Sequence, residues 1–185
     1  MSTGRGGGVV ILGEINVDLI LSGEHTVAVP GKEVLADRFT MALGSASAIC
    51  AVGLARLGER VIFERADAVE VLNQAGRKGG YDLVICAPPK LAPSRAAKAR
   101  ALENMRKLAA SGCRATRPGG MLVVCSCSAA IGMNELTRAV ALGARDVGAH
   151  ALVLERFFQG PDHPVPAAFP EGLYLCSLLV EVVAG

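Results

Sequence analysis

Six cysteines and one dense run of cations hold most of the chemistry available to this chain of 185 residues. Cys50, Cys86, Cys113, Cys125, Cys127 and Cys176 sit mostly inside apolar runs rather than at regular loop spacings, which predicts reduced thiols. No Cys-x-x-Cys pair accompanies His25, His150 and His163, so no metal site is expected. His163 lies in a Pro-Asp-His-Pro turn, where a turn-ordering hydrogen bond accounts for it as well as a site role does. From Lys90 to Arg117 there are eight basic residues against a single acid, Glu103. At helical spacing Arg100 and Lys107 point away from Leu102, with Arg95 and Arg106 nearer its flanks, so phosphate contact is open to them. A solvated helix face explains the same pattern, and no aromatic lies among these cations to stack a base. The glycines between Gly4 and Gly8 precede a strand instead of following one, so they make no phosphate-binding loop.

The elements that must position these groups follow from composition and periodicity. Hydrophobic residues make up 51% of the chain and aromatics 4%, with no Trp, so the core must be built from Val, Leu, Ile and Ala. A buried, mostly parallel sheet flanked by Ala-rich helices has that make-up. The length favours one α/β domain over residues 1–185 with a flexible start at 1–8. A formal net charge of +2 is too small to imply polyanion binding by itself. No stretch reaches the roughly 18 apolar residues of a membrane span, and the run at 9–12 is too short for a signal peptide. No membrane association and a cytoplasmic location are therefore expected.

Along the chain, residues 9–12 and 15–21 read as a buried strand with a polar end, and 25–39 as a two-stranded flap about Pro30 and Gly31. Residues 44–57 read as a helix stopped by Gly58, and 61–63 as a short strand. Asp67 followed by Glu70 has the spacing of a capping box for a helix to about Ala75. A strand at 82–87 is stopped by Pro88 and Pro89. A long amphipathic helix follows at 94–111, then a strand at 121–125, a helix at 134–142, and strands at 150–158 and 173–183 joined by a Pro-rich loop. Strands alternating with helices indicate a three-layer, doubly wound, Rossmann-like sheet with an antiparallel last strand and a protruding β-flap. The expected strand order, each strand named by a residue near its start, is approximately Val61, Val9, Leu83, Met121, Leu173, His150, an arrangement that right-handed crossovers permit.

Two resemblances bear on function. The runs GEINVDLIL (13–21) and PGKEVLADRFTMALGSASAICAVGLARLGERVIF (30–63) resemble the opening of ribokinase-type, or PfkB, carbohydrate kinases. That resemblance implies a sugar-binding role for Asp18, with Gly44 and Ser45 beside it. The family's C-terminal Gly-Ala-Gly-Asp-type motif has no counterpart after Phe63, so phosphoryl transfer is not expected.

The runs ADAVEVL (66–72), YDLVICAPPKLAPSRAAKARAL (81–102), RPGGMLVVCSCS (117–128) and GPDHPVPAAFPEGLYL (160–175) resemble large-subunit ribosomal RNA 5-methylcytosine methyltransferases. This resemblance implies S-adenosylmethionine as cofactor, RNA as partner and Cys127 as nucleophile. The chemistry requires a thiolate that adds to cytosine C6 beside a pocket holding an extruded base, and a position just beyond a strand's C-terminal end suits it. Asp67, Pro88 and Pro89 would line the cofactor and base pocket, and Lys90 would face a phosphate. Ala87 stands where that family has Asp, and the family's Gly-rich loop falls upstream of Ala66, where the kinase-like run lies.

The resulting expectation is a chimera of a kinase-like segment (9–63) and a methyltransferase-like segment (64–185). It would be a recombined or engineered Rossmann-like scaffold without efficient turnover and with an incomplete S-adenosylmethionine site. Two alternatives are an RNA cytosine-C5 methyltransferase using Cys127 and a sugar or nucleoside binder using Asp18, Gly44 and Ser45. An exposed edge on the flap would let two copies pair.

Overall fold

Alternating burial along the central strands fixes which face is packed. The computed structural model describes residues 8–23, 31, 33–92, 94–161 and 163–185. Its strands, numbered in chain order, are β1 (Val9–Gly13), β2 (Asn16–Ser22), β3 (Arg38–Gly44), β4 (Tyr81–Ala87), β5 (Thr116–Ser126), β6 (Ala149–Phe157) and β7 (Cys176–Ala184). Its helices are α1 (Ala46–Arg56), α2 (Ala68–Arg77), α3 (Lys98–Ala115) and α4 (Met133–Asp146). By contacts the chain divides into two compact units, one of residues 1–13 with 63–185 and one of residues 14–62.

The larger unit is a five-stranded sheet in the order β1-β4-β5-β7-β6. β1, β4 and β5 pair in parallel, and β7 is antiparallel to both β5 and β6. This is the Rossmann-like, mostly parallel α/β sheet expected, with its strands at 9, 83, 121, 173 and 150 in the expected order. Val84, Cys86, Leu122, Val124, Leu178, Val180 and Val182 are buried, whereas their neighbours Leu83, Ile85, Met121, Val123, Leu179 and Glu181 are less so. The buried face receives the helices. α3 packs on the sheet and lies between α2 and α4.

Small residues allow that approach. A β-carbon at Gly143 of α4 would stand 2.6 Å from the Arg106 carbonyl oxygen and 2.8 Å from the Ala110 nitrogen of α3. One at Gly112 would stand 2.9 Å from a Leu122 methyl. Polar pairs then fasten the layer. The Arg106 guanidinium donates twice to Asp146, at 2.6 Å each, and Lys98 donates to Glu135 at 2.5 Å. Arg114 donates to Asn73 of α2 at 2.7 Å.

The smaller unit is an antiparallel ribbon of β2 and β3 followed by α1. Val17, Leu19 and Leu21 stand opposite Leu43, Met41 and Phe39 on one face of the ribbon, and all six are exposed. Ser45 caps α1 by accepting from the Ala48 N–H, with φ at 78°.

Three expectations need correction. The run at 9–21 is not one strand: Gly13 and Glu14 end β1, and the chain restarts as β2 in a different sheet. Residues 61–63 form no strand, because three apolar residues between charged Arg60 and Glu64 find no ladder partner. The two strands of the flap are 16–22 and 38–44 instead of lying within 25–39, and residues 24–30 and 32, which include His25 and Pro30, lie outside the described residues, as do 1–7 of the N-terminus.

Candidate active site at the carboxyl end of the sheet

Because β4 and β5 run in parallel, with Cys86 beside Val124, the loops that leave them emerge side by side. The first is Ala87-Pro88-Pro89-Lys90. Two prolines cannot donate to a ladder, so β4 stops there. Pro88 is half-buried, while Pro89 and Lys90 are exposed. The second loop carries Ser126, Cys127 and Ser128. The Ser128 N–H donates to Ser126 Oγ at 3.3 Å, a short side-chain turn that fixes the backbone at Cys127. Ser128 Oγ in turn accepts from the Ala92 N–H at 3.2 Å, and its carbonyl accepts from the Ile131 N–H at 2.8 Å. Ser126 and Ser128 are each 2% exposed, whereas Cys127 between them is half-buried. The loop of Pro88, Pro89 and Lys90 and the loop of Cys127 are therefore neighbours, tied by the Ala92–Ser128 bond.

Burial raises four other thiols, Cys113 of α3 and Cys86, Cys125 and Cys176 of the sheet. Desolvation pushes Cys86 up to about 12, with Cys125 and Cys113 nearby adding to the effect. Burial likewise raises Cys113 to about 11 and lifts Cys125 and Cys176 above the ordinary thiol value. Such groups are uncharged at neutral pH and pack as small apolar residues. The Cys176 thiol donates to the Ile131 carbonyl at 3.7 Å, holding the far end of the Cys127 loop.

At the neighbouring strand ends, Gly13 of β1 is the register partner of Ala87. Asp67 caps α2, its Oδ1 accepting from the Glu70 N–H at 2.9 Å. The carboxylate is exposed and has lone pairs beyond the one Glu70 occupies. Ala87 offers no side-chain oxygen. Among the described residues no cluster of His, Cys, Asp and Glu could hold a metal ion, and no helix is long and apolar enough to cross a membrane.

The basic run is mostly spent on packing. Lys98 and Arg106 pair with α4, Lys107 lies 3.7 Å from Glu103, Arg117 pairs with Asp82 and Arg114 bonds Asn73. Asp18, Gly44 and Ser45 come together in the smaller unit. Any β-carbon at Gly44 would collide with the Asp18 carboxyl, and the Ser45 and Ser47 hydroxyls donate to the Glu14 carbonyl. His163 is exposed, and its carbonyl accepts from Gln159 at 3.4 Å. Sequence reasoning missed Ser126 and Ser128, and it missed the exposed aromatics Phe157, Phe158, Phe169 and Tyr174. Phe157 is the register partner of Ser177, which is itself opposite Cys125. The adjacent pair Phe157-Phe158 at a strand end was the available signal.

No family model matches the chain. The chain is 34% identical over 125 residues to a ribosomal RNA large subunit methyltransferase I of Shewanella amazonensis, covering 67% of this chain and 32% of that protein. It is 35% identical over 122 residues to the protein of the same name from Yersinia pestis, covering 65% and 31%. The chain thus spans about a third of the length of the curated relatives it matches. In three dimensions it is similar to a structure named as a methyltransferase complexed with SAH, with a TM-score of 0.51 and 17% identity over 63% of this chain and 30% of that one. A SAM-dependent methyltransferase, by name, from Streptococcus mutans aligns with the same TM-score over 63% and 29%.

These likenesses overturn the reading of the chain as a kinase–methyltransferase chimera and as a recombined or engineered scaffold without turnover. One Rossmann-like, methyltransferase-type unit, β1 included, spans most of the chain. The kinase resemblance rested on a short strand and a Gly- and Ala-rich helix, a pattern that a β-ribbon followed by any small-residue helix also produces. The sugar or nucleoside binder inferred from it falls with it.

Proposed function

We propose that the larger unit is the methyl-transfer module of an S-adenosylmethionine-dependent RNA cytosine-C5 methyltransferase acting on large-subunit rRNA. The observation that best supports this is Cys127, a half-buried thiol on a pinned loop at the carboxyl end of β5. The likeness to relatives named as rRNA methyltransferases gives that thiol its reaction. Cytosine C5 is a poor nucleophile. Addition of Cys127 Sγ to C6 breaks the C5–C6 double bond and moves its electron pair onto C5. S-adenosylmethionine, when bound, supplies an electrophilic methyl group. Once C5 has taken that methyl group, with S-adenosylhomocysteine as the leaving group, transfer of the C5 proton to water would re-form the double bond and expel the Cys127 thiolate. Asp67 and Gly13 would hold the adenosine part, Pro88 and Pro89 would wall the base, and Lys90 with Arg100 would meet phosphates. Ala87 contributes no hydrogen bond to the ring, so turnover is slower than an Asp at that position would support.

Titration with S-adenosylmethionine by calorimetry and transfer of labelled methyl to a large-subunit rRNA fragment test this reading. Saturable heat, and transfer that Cys127→Ala lowers at least a hundredfold without changing the heat, are expected. An absence of heat in the unsubstituted chain would overturn it.

Six free thiols, three of them buried, suit a reducing cytoplasm. The six-residue apolar face of the β2–β3 ribbon supports self-association through the flap. Sedimentation should show a concentration-dependent dimer that Leu19→Glu abolishes, and a monomer at all concentrations would exclude it.

A further inference from the structure

We infer that Ser128 is a positioning residue that sets the distance between the Cys127 thiol and the proline wall of the base pocket. The inference rests on the methyl-transfer reading above and assigns that site a group that touches neither base nor cofactor. Two loops from different strands meet at this hydroxyl. On one side Ser128 continues the Cys127 turn, its own N–H held by Ser126 Oγ and its carbonyl holding Ile131. On the other, its Oγ is the acceptor for the Ala92 N–H, two residues after Lys90.

Burial makes the link decisive. Ser128 and Ala92 are each 2% exposed, so water cannot replace the hydroxyl as partner of that N–H. Removing the oxygen leaves a buried donor unpaired, and the inexpensive remedy is for the Pro88–Pro89 loop to swing out until the Ala92 N–H reaches solvent. Addition of a thiol to a ring carbon depends steeply on approach geometry, with displacements near 1 Å costing about a hundredfold. Ser126 is the less informative partner, because its bond closes within the same loop and leaves the proline loop untouched.

The test compares the unsubstituted chain with Ser128→Ala and Ser128→Thr. In Ser128→Ala, amide exchange at Ala92 should rise at least tenfold, and kcat for methyl transfer from S-adenosylmethionine to the rRNA fragment should fall ten- to a hundredfold. The KM for S-adenosylmethionine should stay within about twofold. Ser128→Thr keeps the acceptor and should restore Ala92 protection and most of kcat. Cys50 is exposed and lies in the other unit, which makes it an internal reference for thiol access. Alkylation by iodoacetamide, read by peptide mass spectrometry, should show the Cys127-to-Cys50 rate ratio rising at least threefold in Ser128→Ala.

If the unsubstituted chain transfers no methyl, the methyl-transfer reading fails. The exchange and alkylation arms still decide whether Ser128 couples the loops. Unchanged exchange at Ala92 together with an unchanged thiol ratio would overturn the inference. So would a parallel loss in kcat and KM that Thr does not rescue, since that is the signature of general destabilisation. Should Ser128→Ala not fold, loss of Ala92 protection in a folded Ser128→Thr chain overturns the inference, and retained protection supports it.

Discussion

The two units use similar apolar residues to opposite effect. In the larger one, Leu72, Val84, Leu122, Leu136 and Val180 are 0% exposed beneath a layer of helices. In the smaller one, Val17, Leu19, Leu21, Phe39, Met41 and Leu43 are between 48% and 66% exposed, although they lie on a single face of their ribbon. Among its described residues only Gly44, Ala48 and Ala51 are buried. A patterned face is not a core until a second layer covers it. Two strands and one helix cannot supply that layer alone.

The sharpest way to break this comparison is to delete the same side chain in each unit. Leu122→Ala removes a fully buried group packed under Gly112 and should cost about 2–5 kcal/mol in denaturant unfolding. Leu19→Ala removes a group that is 63% exposed and should change stability by less than about 0.5 kcal/mol. Equal costs would mean that the ribbon face is covered in solution.

Alkaline pH should separate the units next. Cys86 is raised from 9.0 to about 12 by burial, so its unfolded form loses a proton before its folded form does. The stability this thiol contributes is fully present below about 9 and is lost as pH climbs from 9 toward 12. Cys50 in the smaller unit is exposed. Chemical unfolding between pH 8 and 11 should therefore show a declining midpoint for the larger unit that becomes shallower in Cys86→Ala, with the remaining slope from Cys113, which burial raises to about 11. A decline of unchanged slope would place the sensitivity elsewhere.

How far sequence reading reached follows the same divide. β4 and β5 were legible because each is a near-continuous apolar run bounded by punctuation, Gly80 or Gly120 before and Pro88 or Ser126 after. The five-strand order came with the methyltransferase resemblance, and right-handed crossovers permit it. β5 begins at Thr116, five residues before the first strongly apolar position, because Thr116 pairs with Tyr81 and the chain then bulges through Arg117 to Gly119, with Gly119 at φ 76°, before the ladder resumes at Met121 beside Leu83. The break between β1 and β2 was not legible, since Gly13 and Glu14 interrupt an apolar run no more strongly than Asn16 and Asp18 do. The destinations of Lys98 and Arg106 were equally hidden. Their partners Glu135 and Asp146 lie 37 and 40 residues away, and helical periodicity sees only neighbours within a few turns. At the site, Cys127 was visible as a residue type. The link from Ser128 to Ala92 spans 36 residues and needed both strands in place.

The smallest effect concerns the backbone of the smaller unit. Ser45 has φ 78° and ψ 144°, a conformation that is almost exclusive to glycine and costs a residue with a β-carbon about 1–3 kcal/mol. The residue is held there because its hydroxyl does two things, accepting from the Ala48 N–H at 3.2 Å and donating to the Glu14 carbonyl at 2.5 Å. Ser45→Ala would keep the strain and lose both bonds. Ser45→Gly would lose both bonds but shed the strain, at the expense of a more flexible unfolded chain. Glycine should therefore be the better substitute by about 1 kcal/mol, read from amide protection across α1, the reverse of the order inside a helix. If alanine protects α1 as well as glycine does, the backbone at Ser45 relaxes once its hydroxyl is gone. The cap would then be the source of the strain.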